Sequence, residues 1–512
     1  MNLLKSGWLG VGLVTLMLMV PLGAGATPYT WDAGGGTNAW GTKANWNPEN
    51  NNKPDGVNDT ATINIGNYNP VQLSTTITLG GSTDSLIIGT SAGATALNIS
   101  GTLQMRGGIS NAKIITLPGT LVNDATTATT HYSIHGDGGS ISMSGGLISS
   151  KSGGIWDFNQ AVSGYGTISA PVDNYSTITA NSATALGITG ALTNKSGGIL
   201  NAGTSTTNTT GTLAFSGSGS LSNSGTVNVY GTLSNTGSAL ALTGSGNAYL
   251  YGGTLSGAGG FSNANNLKGY GTILAGLANA GTLTASGAGK TLTVSGGVLG
   301  SGNVKVGTAF PTITDTVTMS LGSNLAAKDF TLYDKATLNQ TAGTILLTGN
   351  FNNYAATSTT QWQPTTGLNL SMGSSTSTFS TFEVAGKDSG ALAAGFSGNF
   401  NLALLTVTGN LELLDSVDNG FKALSSHNNN HEALYITSLT GIGALDLNNL
   451  WVYVKEGSII VPLSNGLYNY GGSTIQISES PYVVPIPGSV LLLGSGLVGL
   501  GLLRFRRREK KS

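Results

Sequence analysis

The four histidines of this chain come as two i, i+4 pairs, His131/His135 and His427/His431. In an extended strand His131, Ser133, His135 and Asp137 share one face. Two imidazoles and a carboxylate so placed could hold a divalent metal. Gly136, Gly138 and Gly139 make the same stretch equally readable as a turn with polar residues facing solvent. His427-Asn-Asn-Asn-His431 reads as a loop, because asparagine disfavours the helix that would align its two rings. Trp31, Trp40 and Trp46 are three of the seven tryptophans. They offer indole faces for stacking on sugars or a hydrophobic cap over the open edge of a repetitive β-structure; the cap is the favoured expectation. Glycan hydrolysis or lysis needs clustered carboxylates, or a base with a cation to hold an acidic sugar. Here Asp137, Asp157 and Asp173 are scattered, and no arginine lies between Arg106 and Arg504. Nucleophile elbow, phosphate loop, Ca²⁺-binding nonapeptide array and Cys/His cluster are all missing from the sequence. The expectation is a non-catalytic protein with no cofactor, and the alternatives are a polysaccharide lyase or hydrolase and a glycan-binding adhesin.

Whatever these residues do, strands must position them. The 79 glycines and the low share of charged residues (8 %) depart strongly from an average soluble domain. From Val71 to about Phe351 short β-type pieces are broken by glycine, as in Ala96-Leu-Asn-Ile-Ser-Gly-Thr-Leu-Gln-Met105 and Gly225-Thr-Val-Asn-Val-Tyr-Gly-Thr-Leu233. Apolar residues alternate with Thr and Ser over three to five positions, the period of half-buried strands, with Gly, Asn and Ser-Gly at the turns. Gly164-Tyr-Gly-Thr-Ile-Ser-Ala170 returns as Gly269-Tyr-Gly-Thr-Ile-Leu-Ala275. Asn174 with Thr177–Ala180, and Asn279 with Thr282–Ala285, follow the two copies at the same offset of 105. Degenerate units of roughly twenty residues predict an all-β fold, a right-handed parallel β-helix (β-solenoid). Some fifteen coils at about 4.8 Å each would make a rod about 70 Å long. A row of β-sandwiches is the competing architecture, which would call for longer strands and more aromatic core positions. After about residue 375 the pieces become longer and more apolar, and they are expected to form the last turns of the solenoid or a small terminal β-module.

The two ends carry export signals. Lys5, the apolar run Trp8–Val20 and Ala24-Gly25-Ala26 follow the order of a secretory signal peptide, with cleavage expected after Ala26. At the other end Pro481, Pro485 and Pro487 forbid a continuous helix. An apolar run over 488–503 then approaches the length of a membrane-spanning helix. Arg504, Arg506, Arg507, Arg508, Lys510 and Lys511 follow and hold that end in the cytoplasm, so the body lies across the membrane. Without Lys5, Glu509 and these six cations the chain carries a net charge of −7, which argues against nucleic acid as a partner. With no cysteine, disulfide staples and thiolate metal sites are excluded.

Proline motif, short apolar helix and terminal basic cluster together resemble the PEP-CTERM sorting domain of Gram-negative bacteria. The likeness covers about 485–508, with Pro485-Ile486-Pro487 where the name-giving tripeptide has Glu in the middle. It implies export through the Sec translocon and transient anchoring in the inner membrane. It also implies recognition by an exosortase-type membrane protease, then a place at the cell surface or outside the cell, in association with exopolysaccharide or biofilm. The Trp-Asp…Trp…Asn-Trp pattern ahead of Gly56–Ile63 resembles the opening module of secreted Gly-rich bacterial proteins. Leu434-Tyr-x-x-x-Leu439 with Leu445-Asp-Leu-Asn-x-Leu450 resembles a membrane-proximal module of other PEP-CTERM cargo. The expected organisation is a signal peptide at 1–26, a Trp-rich cap at 27–70 and solenoid repeats at 71–375. A C-terminal β-module at 376–463, a linker at 464–484 and the sorting signal at 485–508 complete it.

Overall fold

The computed structural model describes residues 27–48, 52–64, 70–90, 95–309, 316–358, 361–419 and 432–479. Ala24 and Ala26, the tripeptide Pro485–Pro487, the expected membrane helix, the basic cluster and the pair His427/His431 lie outside the described residues. Among the described residues no helix is long and apolar enough to cross a membrane.

Strands dominate, and nearly all pair in parallel. One coil runs through Val172–Asn174, Thr177–Ala180 and Leu186–Ile188, the next through Ala191–Asn194, Ile199–Ala202 and Thr212–Phe215. Each strand sits beside its counterpart one coil on: Val172 beside Leu192, Ile178 beside Leu200, Leu186 beside Leu213. Three faces result, here numbered one to three in that order along the coil. This is a β-solenoid rather than a row of sandwiches. On face two the pairing is unbroken through fourteen strands from Val71–Leu73 to Phe351–Asn353. Alternation explains why these pieces are strands: in Ile199–Ala202, Leu200 and Ala202 point inward and are buried while Ile199 and Asn201 are partly exposed. Each buried Leu or Ile adds about 1.5–3 kcal/mol, and no coil can bury its inner face without a neighbour.

The corner between faces one and two is closed by asparagine. Asn174 Nδ2 donates to Asn194 Oδ1 at 2.8 Å, and Asn194 Nδ2 donates to Asn223 Oδ1 at 2.8 Å. Farther on, Thr243 Oγ1 donates to Asn263 Oδ1 at 2.7 Å, and Asn263 Nδ2 to Asn279 Oδ1 at 2.7 Å. A primary amide both donates and accepts, so each copy hands the bond to the next coil while also satisfying corner carbonyls. This ladder gives the 105-residue echo a cause, since Asn174 and Asn279 are rungs of it. The Gly-Tyr-Gly copies turn the corner between faces two and three. Gly164 and Gly269 have φ of 121° and 134°, and a Cβ there would collide with the carbonyl oxygen of Met143 or Leu250 in the coil before.

Both ends are covered. Thr27–Trp31 lies parallel to Asp59–Ile63 and antiparallel to Trp46–Asn47, over the first coil. At the far end face three stops at Trp362–Gln363, while faces one and two continue to Trp451–Glu456 and Thr474–Ser478. The stretch 376–463 therefore continues the stack, and the solenoid shows no break near 375. Residues 464–479 correct the expected linker: Gly466–Tyr468 folds back antiparallel on Thr474–Ser478, as Ile459–Pro462 does on Trp451–Glu456. Each hairpin covers backbone that a parallel stack would leave unpaired.

Candidate functional site

The outer surface of face one carries His131, His135, Asp157 and Asp173 from among the ionisable residues singled out by sequence. On the strand His131–His135, Ile134 is buried and His131, Ser133 and His135 face outward, because successive residues alternate sides. The three expected metal ligands are not brought together. His135 Nε2 reaches back two coils, past Gly108, to Asp84 Oδ1 at 3.0 Å. His131 Nδ1 reaches forward one coil to Asp157 Oδ1 at 2.8 Å. Asp137 lies in the turn that follows the strand. The reason is geometric: residues four apart on an extended strand are about 13 Å apart, whereas adjacent coils are about 4.8 Å apart.

A different set does converge. Asp157 and Asp173 are in register on neighbouring coils. One ligand atom each from His131, Asp157 and Asp173 lie within 4.8 Å of one another. Lys195 Nζ sits 2.8 Å from Asp173 Oδ2 and 5.8 Å from the centre of the Tyr175 ring. The hydrogen bond to Asp173 raises the Lys195 pKa against the opposing effect of burial. Asn159 Nδ2 adds a bond to Ser133 Oγ at 2.8 Å. The result is a polar strip running from coil to coil along face one. Recesses of about 290 Å³ and about 250 Å³ lie elsewhere, against the C-terminal hairpins. The partners of His131 and His135 are 26 and 51 residues away in sequence, so only the coil register pairs them.

A second charged cluster stands at the end of face three, where the chain turns back to face one. Asp124, almost fully buried, receives Arg106 Nε on Oδ2 and Lys151 Nζ on Oδ1, each at 2.8 Å. Burial pushes its carboxyl up, but the bonds from Lys151 and Arg106 outweigh that and hold it below the usual carboxylate range. A folded-state pKa below the unfolded value gives stability that is present above about pH 4 and lost as pH falls through the folded value. We expect the coils around Asp124 to become protease-sensitive below about pH 4, and Asp124→Asn to flatten that acid dependence. Proteolysis with an acid protease across pH 2.5–6, mapped by mass spectrometry, measures it.

The aromatic residues are structural. Trp31, Trp40 and Trp46 are 0 %, 1 % and 0 % exposed, which fits the favoured cap and goes against the alternative of sugar stacking, since no indole face is open to a ligand. Trp31 meets Trp46 edge-on at 5.1 Å, and Trp40 meets it at 4.7 Å. Trp40 Nε1 donates to the Pro54 carbonyl and Trp46 Nε1 to the Trp40 carbonyl. Outside, Tyr230 stacks on Tyr251 at 5.0 Å, and Lys290 lies over Tyr270. At the C-terminal end Tyr453 donates to Asp388 at 3.1 Å and Tyr435 donates to the Gly390 carbonyl at 3.0 Å. Burial pushes the Tyr435 hydroxyl up to about 12, so it stays a donor at any physiological pH.

Three covered faces, two closed ends and an outer skin of Thr, Ser and Asn define a capped parallel β-solenoid. No protein-family model, no curated protein and no solved structure matches the chain.

Proposed function

We propose that this chain is a structural protein of the cell surface or extracellular matrix. In this reading a right-handed β-solenoid is exported through the Sec translocon. It is then held in the inner membrane by its PEP-CTERM-like tail until an exosortase-type protease acts at or near Pro485-Ile486-Pro487. The hand follows from the rule that parallel crossover connections are right-handed in about 98 % of cases. One observation carries the reading. The coil is closed at both ends, and from Glu479 the chain leads directly into the proline motif, the apolar run and Arg504–Lys511. A rod with capped ends is a spacer or coat element that does not grow by end-to-end strand pairing. Exopolysaccharide is the proposed surrounding of the released rod, because its Thr/Ser/Asn exterior is hydrogen-bonding and weakly charged.

Asp157 and Asp173 bring one carboxylate oxygen each to within 4.8 Å of the other, close to the about 5 Å spacing of a retaining glycosidase pair. Their neighbours speak against that use. Asp157 is bonded to His131 and Asp173 to Lys195, so neither carboxylate is free to act as acid or nucleophile without breaking a pair.

The test is intact-mass analysis and fractionation of the native protein with the natural tail and with Pro485→Ala/Pro487→Ala. We expect the natural chain to lose its signal peptide and its basic tail and to leave the inner membrane. The doubly substituted chain is expected to stay there at full tail length. Identical mass and location for both would overturn the proposal.

A further inference from the structure

We propose that His131, Asp157 and Asp173 form a binding site for one divalent transition-metal ion on the outside of face one. The set joins three successive coils: His131 comes from the first, Asp157 from the second and Asp173 from the third. It is independent of the export reading, since it rests on the register of the coils and not on the tail.

Two carboxylates stacked in register on neighbouring strands repel one another, and here two basic groups offset that repulsion. The proton between His131 Nδ1 and Asp157 Oδ1 bridges one side, and the Lys195 ammonium covers Asp173 Oδ2 on the other. A divalent ion between the three ligand atoms would do both jobs at once. The atoms lie within 4.8 Å of one another. Four-coordinate zinc, with bonds of about 2.0–2.2 Å, needs ligands roughly 3.4 Å apart, so the three ligand atoms have to draw together by no more than about 1.4 Å. His131 is exposed, which leaves the remaining coordination positions open to water or to an external donor. One imidazole with two carboxylates is a set for Zn²⁺ or Mn²⁺. Ca²⁺ takes six to eight oxygens and is poorly served.

Lys195 makes the proposal sharply testable. Its ammonium holds an oxygen that the metal requires, so metal and lysine compete for Asp173. Removing the lysine strengthens a metal site, and it weakens a purely structural ion-pair network.

The experiment is calorimetric titration of Zn²⁺, with Ca²⁺ as control, into the purified full-length chain in detergent. The chain carries His427→Ala/His431→Ala to remove the other histidine pair. We expect one Zn²⁺ per chain and no heat from Ca²⁺. His131→Ala or Asp157→Asn should weaken Zn²⁺ binding at least about 10-fold, the size of effect seen when a metal site loses a supporting group. Lys195→Met should tighten it at least about tenfold, since it removes a cation that repels the ion and competes with it for Asp173. Thermal melts of each variant check that the coil remains folded. No binding by the folded parent, or binding unchanged by His131→Ala and Asp157→Asn, overturns the proposal. So does weaker binding in folded Lys195→Met.

Discussion

Replacing Trp46 with alanine is expected to open the N-terminal end of the rod. Trp46 is fully buried and lies between Trp31 and Trp40, and its strand pairs antiparallel with Thr27–Trp31. Truncating a buried tryptophan costs about 3–5 kcal/mol. In a solenoid that cost falls on the coils nearby, because each contacts only its neighbours. The expected result is a new early melting transition confined to the first coils, with protease cuts before about residue 100 and the rest of the chain intact. Loss of the cap also exposes the strand Asp59–Ile63 as an unpaired parallel edge, a template for joining another chain. We therefore expect concentration-dependent oligomers that the natural chain does not form, measurable by light scattering. A single unchanged transition and a monomeric variant would show that the indoles are not closing the stack.

Asn194→Leu is expected to have the second-largest effect, in the middle of the rod. Asn194 is 0 % exposed, accepts from Asn174 Nδ2, and donates to Asn223 Oδ1 and to the Gly198 carbonyl at 3.1 Å. Leucine matches its size but has no polar atom, so buried groups on both neighbouring coils lose their partners. Leaving buried donors or acceptors unmade costs about 1–3 kcal/mol each. With two or three groups affected, about 2–5 kcal/mol is at stake, offset in part by the added apolar burial. Hydrogen exchange resolved by segment should show faster opening across 172–229 and unchanged protection at the distant Phe330–Phe351–Phe382 column, whose rings stack at 5.2 Å. Asn201→Leu is the control. Asn201 also bonds between coils, receiving Asn228 Nδ2 at 3.0 Å, but its side chain is on the outer surface, where water replaces the lost bond. A control as damaging as Asn194→Leu would remove the ladder as the explanation.

The fold was legible because its information is local and repeated. Alternation in Ala96–Met105 and Gly225–Leu233, glycine where the chain turns, and the Gly-Tyr-Gly echo each report one coil, and every coil obeys the same rule. The echo itself came through as sequence because its glycines and asparagines answer steric and hydrogen-bonding demands that no other residue meets as well. The expected linker over 464–484 failed in its first part because Gly466–Tyr468 is too short to show a period, and the single alternating stretch Thr474-Ile-Gln-Ile-Ser478 stands apart from the repeats. The neighbouring stack makes them strands.

The candidate site was the opposite case. That His131, Ser133 and His135 share one face follows from the two-residue period of a strand, which is written in the sequence. The partners of His131 were not written there. Whether Asp157 or Asp137 meets His131 depends on how many residues each corner consumes, and neighbouring coils of this rod differ in that length. Val172 lies sixteen residues beyond its partner Trp156, while Leu221 lies twenty-nine beyond Leu192. The sequence by itself thus determined the strand period, the glycine corners and the charge balance. Only the stacked structure decided which carboxylates share a surface and that the indoles are spent inside the cap. Contact between coils is set by the sum of all the turns between them, which no local pattern records.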